Sequence, residues 1–189
     1  MVHSFSVDSL SWTSDDRKLV LLGQWCDVGR TNQTCARGSR LAQVEVLDPA
    51  AGDGGVGARP LLPQSASFPD IVQAQISPDG TSVTAVVLRG HAAGYGHVPP
   101  YLSVERISVV EGTIGRLLAV LYQRRLSNTA DTGTAPDFIA LSQDATGQHL
   151  LLSGGFCGYG CRGGFNGWIH DGRLVPVQPP DDRESDQAW

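Results

Sequence analysis

The chain has 189 residues, 23 of them glycine and 11 proline, and a formal net charge of −5 at pH 7. This acidic balance argues against nucleic-acid binding, which needs clustered lysine and arginine side chains to neutralise phosphates. Short apolar runs alternate with clusters of Gly, Pro, Asp and Ser, a pattern typical of all-β chains. Because no run of about 18 apolar residues occurs, the sequence predicts no membrane insertion by this chain, and its N-terminus lacks the features of a signal peptide.

An internal repeat occurs three times along the sequence, at a spacing of about 65 residues. Each copy has an apolar run, a turn of Ser, Asp and Gly, and a second apolar run, which together predict a β-hairpin. A hairpin repeated at this period is typical of the inner half of a β-propeller blade. Four strands are predicted in each repeat, at residues 5–12, 19–25, 41–47 and 59–62, then 71–76, 82–88, 102–110 and 116–122, and finally 138–141, 149–153, 167–170 and 174–177.

Two local signals refine the strand prediction. The apolar alternation of the third strand in repeat two breaks near Glu105 and Arg106, which predicts a β-bulge there. Asp171 and Gly172 form the dipeptide that most strongly indicates a two-residue hairpin turn, between the last two strands of repeat three.

The repeats predict a partial β-propeller of about three four-stranded antiparallel blades, over residues 1–64, 65–132 and 133–178. A flexible polar tail is predicted at residues 179–189. Because closed propellers have about four to eight blades, we expect a longer parent protein with further N-terminal blades. The alternatives are a homodimer in which two copies complete one ring, and a truncated structural remnant without a function of its own.

Four short segments carry a family resemblance: residues 10–13 (LSWT), 76–80 (ISPDG), 167–169 (GWI) and 188–189 (AW). Together they resemble the C-terminal half of an actinobacterial family of WD40-like, TolB-like β-propeller proteins. The resemblance implies a cytoplasmic N-terminal part and one transmembrane helix ahead of an extracytoplasmic propeller, and it implies no catalytic residues. The chain departs from the family pattern at its first turn, which lacks the usual glycine, and at residues 143–147, which read as a longer third turn.

The four cysteines occur as two close pairs, Cys26 with Cys35 and Cys157 with Cys161. Four cysteines allow three pairings, and the local pairing places one disulfide within a connection of the first repeat and one within a connection of the third. Two disulfides predict an oxidising, extracytoplasmic location. Free thiols and a zinc site are the alternatives, although only Cys157 and Cys161 have a spacing that is usual for zinc.

The connections between the second and third strands are long and rich in glycine in all three repeats, over residues 26–40, 90–100 and 154–166. Binding residues concentrate on loops that a rigid scaffold holds, and aromatic and arginine side chains suit contact with a protein, peptide or glycan. The alternative is that these segments are tolerated insertions whose aromatic residues, Phe165 among them, pack onto the blade rims. The predicted binding residues are Trp25, His91, Tyr95, His97, Phe156, Tyr159 and Arg162.

No catalytic motif is present in the sequence, which lacks a Gly-x-Ser-x-Gly elbow, a P-loop and a dinucleotide fingerprint. We therefore predict a protein that is not an enzyme and that uses no cofactor or metal. Asp16, Asp79 and Asp144 lie in turns, where aspartate ordinarily bonds its own backbone. The predicted function is a binding or sensing propeller, the extracytoplasmic part of a membrane-anchored bacterial protein. The alternative is an accessory propeller of a hydrolase or peptidase.

Overall fold

The computed structural model describes residues 2–28, 33–35, 40–45, 58–61, 70–89, 101–109, 115–125, 138–155 and 164–177. In this part of the chain, β-strands form three antiparallel sheets, which confirms the prediction of an all-β chain. The strands are β1 (Val2–Trp12), β2 (Lys18–Val28), β3 (Gln33–Cys35), β4 (Arg40–Glu45), β5 (Ala58–Pro60), β6 (Asp70–Ile76), β7 (Ser82–Arg89), β8 (Tyr101–Ser108), β9 (Leu117–Arg125), β10 (Phe138–Gln143), β11 (Leu150–Gly155), β12 (Gly164–His170) and β13 (Arg173–Pro176).

The sheets follow the three repeats of the sequence. The N-terminal sheet has the strand order β1-β2-β4-β5, with the short β3 paired to the end of β2. The middle sheet has the order β6-β7-β8-β9, and the C-terminal sheet has the order β10-β11-β12-β13. The sequence pattern does not predict β3, because its three residues carry no apolar alternation. The predicted tail, residues 179–189, lies outside the described residues.

The middle sheet is apolar on both faces and lies between the other two sheets. One hydrophobic core contains Val20 of the N-terminal sheet together with Val83 of the middle sheet. A second core contains Val86 of the middle sheet together with Leu152 of the C-terminal sheet. Val83 and Val86 point to opposite faces of β7, and both are completely buried. Burial on both faces explains why β7 reads as a nearly continuous apolar run rather than an alternating one.

A buried polar pair, rather than a bulge, breaks the apolar pattern of β8. β7 and β8 pair without a register shift along their whole length. Ser103 and Glu105 lie on one face of β8, and the Ser103 hydroxyl donates a hydrogen bond of 2.6 Å to the Glu105 carboxylate. The register shifts occur where β8 pairs with β9, and the additional residues there are Leu118 and Leu121. The two shifts flank Glu105 and Arg106, so the predicted position of the irregularity is confirmed, although the additional residues belong to β9 and not to β8.

The three repeated turns have the same length and the same hydrogen bonding. A residue with a positive φ occupies the equivalent position in each: Asp16 (55°), Gly80 (69°) and Gly147 (70°). The amide of each donates to the carbonyl three residues earlier, at 3.1, 2.9 and 3.0 Å. The prediction of a longer third turn is wrong, because Asp144 takes the place that Ser77 has in the second repeat.

The hairpin between β12 and β13 has the predicted two-residue turn. His170 pairs with Arg173 across the turn, and the two residues between them both have positive φ angles, 47° at Asp171 and 72° at Gly172. Two consecutive positive φ angles define the turn type that Asp-Gly favours, because its twist matches that of the flanking strands. The hairpin prediction at this position is confirmed.

The first repeated turn offers a stability test, because Asp16 stands where the other two turns have glycine. We expect Asp16→Gly to raise the free energy of unfolding by about 0.5 kcal/mol. The left-handed conformation costs a non-glycine residue about 1–2 kcal/mol, while glycine loses about 0.5–1 kcal/mol more in chain entropy. Urea denaturation measures the change, with Gly80→Ala as the matched control that should lose about 1 kcal/mol. A glycine variant less stable than the parent would contradict this account of the turn.

Candidate functional site

The three repeated turns lie together at one end of the stack, which we name the turn end. Ser14 of the first turn donates its amide (3.3 Å) and its hydroxyl (2.9 Å) to the carbonyl of Pro78 in the second turn. The Arg106 guanidinium donates to the carbonyl of Gly147 in the third turn at 2.9 Å. Because β2, β7 and β11 run away from these turns, the connections that follow them leave from the opposite end, which we name the connection end.

Of the seven predicted binding residues, only the backbone of Trp25 belongs to the described part of the chain. The backbone of Trp25 lies in β2 opposite Phe5, close to where that strand ends, and the Trp25 side chain is outside the described part of the chain. The strand ends that flank the other two connections are Arg89 with Tyr101 and Gly155 with Gly164. Whether the binding residues share one surface stays a prediction, since six of them lie outside the described residues: His91, Tyr95, His97, Phe156, Tyr159 and Arg162.

The backbone register brings one of the two cysteine pairs together. β2 and β3 pair so that Cys26 lies directly opposite Cys35. Directly opposed residues of an antiparallel pair have Cα atoms about 4.5–5.5 Å apart, which is inside the range of about 4.4–6.8 Å that a disulfide needs. The register thus supports the local disulfide as a proposal for this pair, whereas Cys157 and Cys161 lie outside the described residues.

We expect Cys26→Ser to lower the free energy of unfolding by about 2–3 kcal/mol under oxidising conditions, the chain-entropy value for a loop of this length. The variants Cys35→Ser and Cys26→Ser/Cys35→Ser should lose the same amount, because all three lack one bond. Denaturation with and without reductant makes the measurement, and a chelator is the control for a zinc site. A parent protein whose stability is the same in reductant and in oxidant would rule out the disulfide.

Phe165 is a core residue at the connection end and does not belong to a loop. It lies in β12, is 8% exposed, and belongs to the core between the middle and C-terminal sheets. Its ring occupies the space above Gly154, where any Cβ atom would collide with it. The guanidinium carbon of Arg124 lies 5.5 Å from the ring centroid, in the geometry of a cation–π contact. The structure therefore corrects the prediction of a loop over residues 154–166 and favours rim packing for this aromatic residue.

Two polar contacts cross the junction between the middle and C-terminal sheets near the turn end. Gln75 Nε2 donates to the Leu141 carbonyl at 2.7 Å, and Gln143 Nε2 donates to the Ile76 carbonyl. Water is the ordinary partner of buried polar atoms that have none in the protein. The sequence does not indicate these contacts, because a strand pattern does not show what a glutamine side chain contacts on the neighbouring sheet. The buried side-chain atoms without a partner in the described residues are Ser9 Oγ, Gln75 Oε1, Arg106 Nε and Gln143 Oε1.

The aspartates of the first two turns are structural. The Asp79 carboxylate accepts hydrogen bonds from the Ser77 hydroxyl (2.6 Å) and from the Thr81 amide (3.0 Å). These bonds, the first above all, hold the pKa of Asp79 below its usual value. In the first turn, Asp15 accepts the corresponding bond from the Thr13 hydroxyl at 2.6 Å, which likewise lowers the pKa of Asp15. The predicted role of Asp16 therefore belongs to Asp15.

The third turn uses its aspartate in a different position. Asp144 Oδ2 lies 2.8 Å from His149 Nδ1, and Asp144 Oδ1 accepts from the amides of Gln148 (3.0 Å) and His149 (3.2 Å). The bond to the His149 ring is the main reason why the pKa of Asp144 lies well below its usual value. Since its own turn saturates this carboxylate, Asp144 has the structural role predicted for it, as Asp79 does.

Within the described ranges, no group of three His, Cys, Asp or Glu residues is placed to hold a metal ion. In the same part of the chain, no helix has the length and apolar character needed to cross a membrane. Comparison of the sequence with models of known protein families gives no match, and comparison with curated proteins gives none either.

Proposed function

We propose that the protein is a non-catalytic binding or sensing domain of the β-propeller type, which contacts its partner at the connection end. One observation carries this proposal. In each of the three stacked antiparallel sheets, the repeated tight turn leaves from one end, and the connection that follows β2, β7 or β11 leaves from the other. This arrangement gives the connections a common, rigid base, which is how loop-borne binding sites are ordinarily built.

The chemistry of the turn end favours the connection end as the binding surface. The carboxylates of the turns accept bonds from their own turns, as Asp79 does from Ser77 and Thr81. Side chains and carbonyls of neighbouring turns bond each other, as Ser14 does with Pro78. Polar groups that are satisfied internally gain little from a ligand. The polar groups of the repeated turns are therefore poor candidates for contact with a partner.

The partner that suits this surface is a protein, a peptide or a glycan. The connections carry aromatic and arginine residues such as Tyr95, Tyr159 and Arg162, and these residue types are favoured at protein interfaces. The net charge of −5 opposes binding to nucleic acids. The facing positions of Cys26 and Cys35 support an oxidising location, so the proposal includes an extracytoplasmic domain of a membrane-anchored protein.

The proposed function is tested by screening the full chain against a displayed random-peptide library and an array of bacterial cell-wall glycans. A probe that binds the parent should bind Tyr95→Ala and Tyr159→Ala at least about tenfold more weakly, the usual effect of losing an aromatic anchor. Gln148→Ala, at the exposed turn end, is the control that should bind normally. Absence of any binding probe, or a loss seen with Gln148→Ala alone, would contradict the connection end as the site.

A further inference from the structure

The two outer faces of the stack carry large apolar side chains. We name the faces by the order of the sheets along the chain. The back faces of the N-terminal and middle sheets look toward the following sheet, and the front faces of the middle and C-terminal sheets look toward the preceding one. The two outer faces are the front face of the N-terminal sheet and the back face of the C-terminal sheet. The front face of the N-terminal sheet and the back face of the C-terminal sheet have no sheet against them in the described part of the chain. Among their exposed apolar residues, with exposed fractions of 45–58%, are Leu10 and Trp12 on the first face and Phe138, Trp168 and Val175 on the second.

Strand alternation assigns the residues of β1 to their faces. The Ser11 hydroxyl oxygen accepts a hydrogen bond of 3.1 Å from the Ile76 amide of the middle sheet, so Ser11 lies on the back face. Neighbouring residues of a strand point to opposite faces, which puts Leu10 and Trp12 on the front face. Leu21 is the cross-strand partner of Leu10, so it extends the same apolar surface onto β2.

The C-terminal sheet is assigned in the same way. Leu152 is completely buried in the core shared with the middle sheet, so it lies on the front face. Its neighbour Leu151 therefore lies on the back face. Leu151 pairs with Trp168, and Trp168 pairs with Val175. Cross-strand partners share a face, so these three residues form a continuous apolar row across β11, β12 and β13.

In the second repeat, the positions equivalent to Leu10 and Trp12 form the junction between the N-terminal and middle sheets. Because the turns match residue for residue, Trp12 corresponds to Ile76, and Leu10 corresponds to Ala74. Ile76 and Ala74 are 1% and 3% exposed, since they lie in the core between the N-terminal and middle sheets. The front face of the N-terminal sheet is therefore built as a junction face, although no sheet covers it in the described residues.

The back face of the C-terminal sheet has the matching chemistry. Ser142 corresponds to Ser11, whose hydroxyl oxygen accepts the Ile76 amide across the first junction. At an equivalent junction, Ser142 would meet the amide of Trp12. Ser142 and Ala140 are small and exposed on β10, which leaves room for the large Trp12 side chain. The chain thus carries both halves of one more junction, one on each outer face.

We propose that the front face of the N-terminal sheet packs against the back face of the C-terminal sheet in a second copy of this chain. Two copies related by a two-fold axis make two identical junctions of this kind, and each continues the packing seen within the chain. The resulting ring has six sheets, which is within the range of about four to eight blades in closed propellers. This inference does not depend on the proposed binding at the connection end.

The mass of the full chain in solution tests the proposal, by light scattering coupled to size-exclusion chromatography. The unmodified chain should have a mass in solution of twice the chain mass of 20.1 kDa. Leu10→Asp and Trp168→Asp, one on each junction face, should each weaken association by roughly 100-fold or more, because each buries an unpaired charge. Leu118→Asp is the matched control on β9 of the middle sheet, where Leu118 is 47% exposed, and it should remain dimeric.

A mixture of the two variants identifies which faces meet. Leu10→Asp and Trp168→Asp chains should each be monomeric alone and should associate when mixed, because the mixture restores one unaltered front-to-back junction. If Trp168→Asp stayed dimeric alone, the contact would be front to front, and the proposal would be overturned. If the unmodified chain stays monomeric up to near-millimolar concentration, the proposal is also overturned. That result would favour further sheets of a longer chain as the partner of the two outer faces.

Circular dichroism checks that each variant folds. Leu10 and Trp168 are about half exposed in the single chain, so their replacement should leave the strand content unchanged. Should an aspartate variant fail to fold, Val175→Ser on the back face and Val120→Ser on β9 form a milder pair, at 47% and 51% exposure. Val175→Ser is expected to weaken association and Val120→Ser is not, and equal effects of the two would overturn the proposal.

Discussion

Leu152→Ala is expected to lower the free energy of unfolding by about 2–5 kcal/mol, whereas Leu151→Ala should lower it by less than about 1 kcal/mol. The two leucines are neighbours in β11 and differ in the face on which they lie. Leu152 is completely buried and belongs to the core that contains Val86 and Val104 of the middle sheet. Its truncation removes apolar contacts and leaves a cavity, while Leu151 lies on the outer back face.

Urea denaturation at low protein concentration measures both changes, so that association of two copies does not contribute. The pair is a matched comparison, because residue type, strand and substitution are the same. Equal losses at the two positions would mean that the assignment of faces in β11 is wrong, and with it the stacking of the middle and C-terminal sheets.

Gly154→Val is expected to lower the free energy of unfolding by about 3 kcal/mol, the upper end of the range for overpacked cores. A Cβ atom at this position would collide with the Phe165 ring and would lie 3.0 Å from the carbonyl oxygen of Phe138. The backbone oxygen is held in the β10–β11 ladder, so the ring must move. Its displacement would also remove the contact with Arg124.

Thermal denaturation and near-ultraviolet circular dichroism measure this effect, with Ser153→Val as the matched control. Ser153 is the preceding residue of β11 and lies on the outer back face, where valine suits a strand. In a double-mutant cycle, Phe165→Ala should recover part of the loss caused by Gly154→Val, because the smaller side chain makes room. Strict additivity of the two changes would contradict direct contact as the cause.

Sequence patterns predict the hairpins of this protein but do not predict the short strand β3 or the bulges of β9. Alternating apolar residues and turn dipeptides act over a few neighbouring residues, so they predict the hairpins around Asp79 and at Asp171. β3 has no such local signal, because what makes it a strand is its pairing with β2, in the register that puts Cys26 opposite Cys35. The bulges of β9 depend on how that strand fits β8, which the β9 sequence does not encode.

Part of the candidate site, too, could be predicted from the sequence, and part could not. Because strands joined by hairpins alternate in direction, the connections that follow β2, β7 and β11 leave from the same end of the stack. The prediction that Phe165 belongs to a loop was wrong, since an aromatic residue beside glycines is typical of a loop. Only the packing shows that Gly154 leaves space for its ring. The contributions of Tyr95 and Tyr159 stay predictions, because both residues lie outside the described part of the chain.

By itself, the sequence determined the repeated hairpins and their turns, because these choices follow from side-chain alternation and turn chemistry within a few residues. Only the tertiary structure decided which face of each strand meets which neighbouring sheet. Alternation separates Ser11 from Trp12 without saying what either one meets. The bond from the Ile76 amide to Ser11 assigns one face to the middle sheet, and so leaves Trp12 on the outer face, where it is 45% exposed.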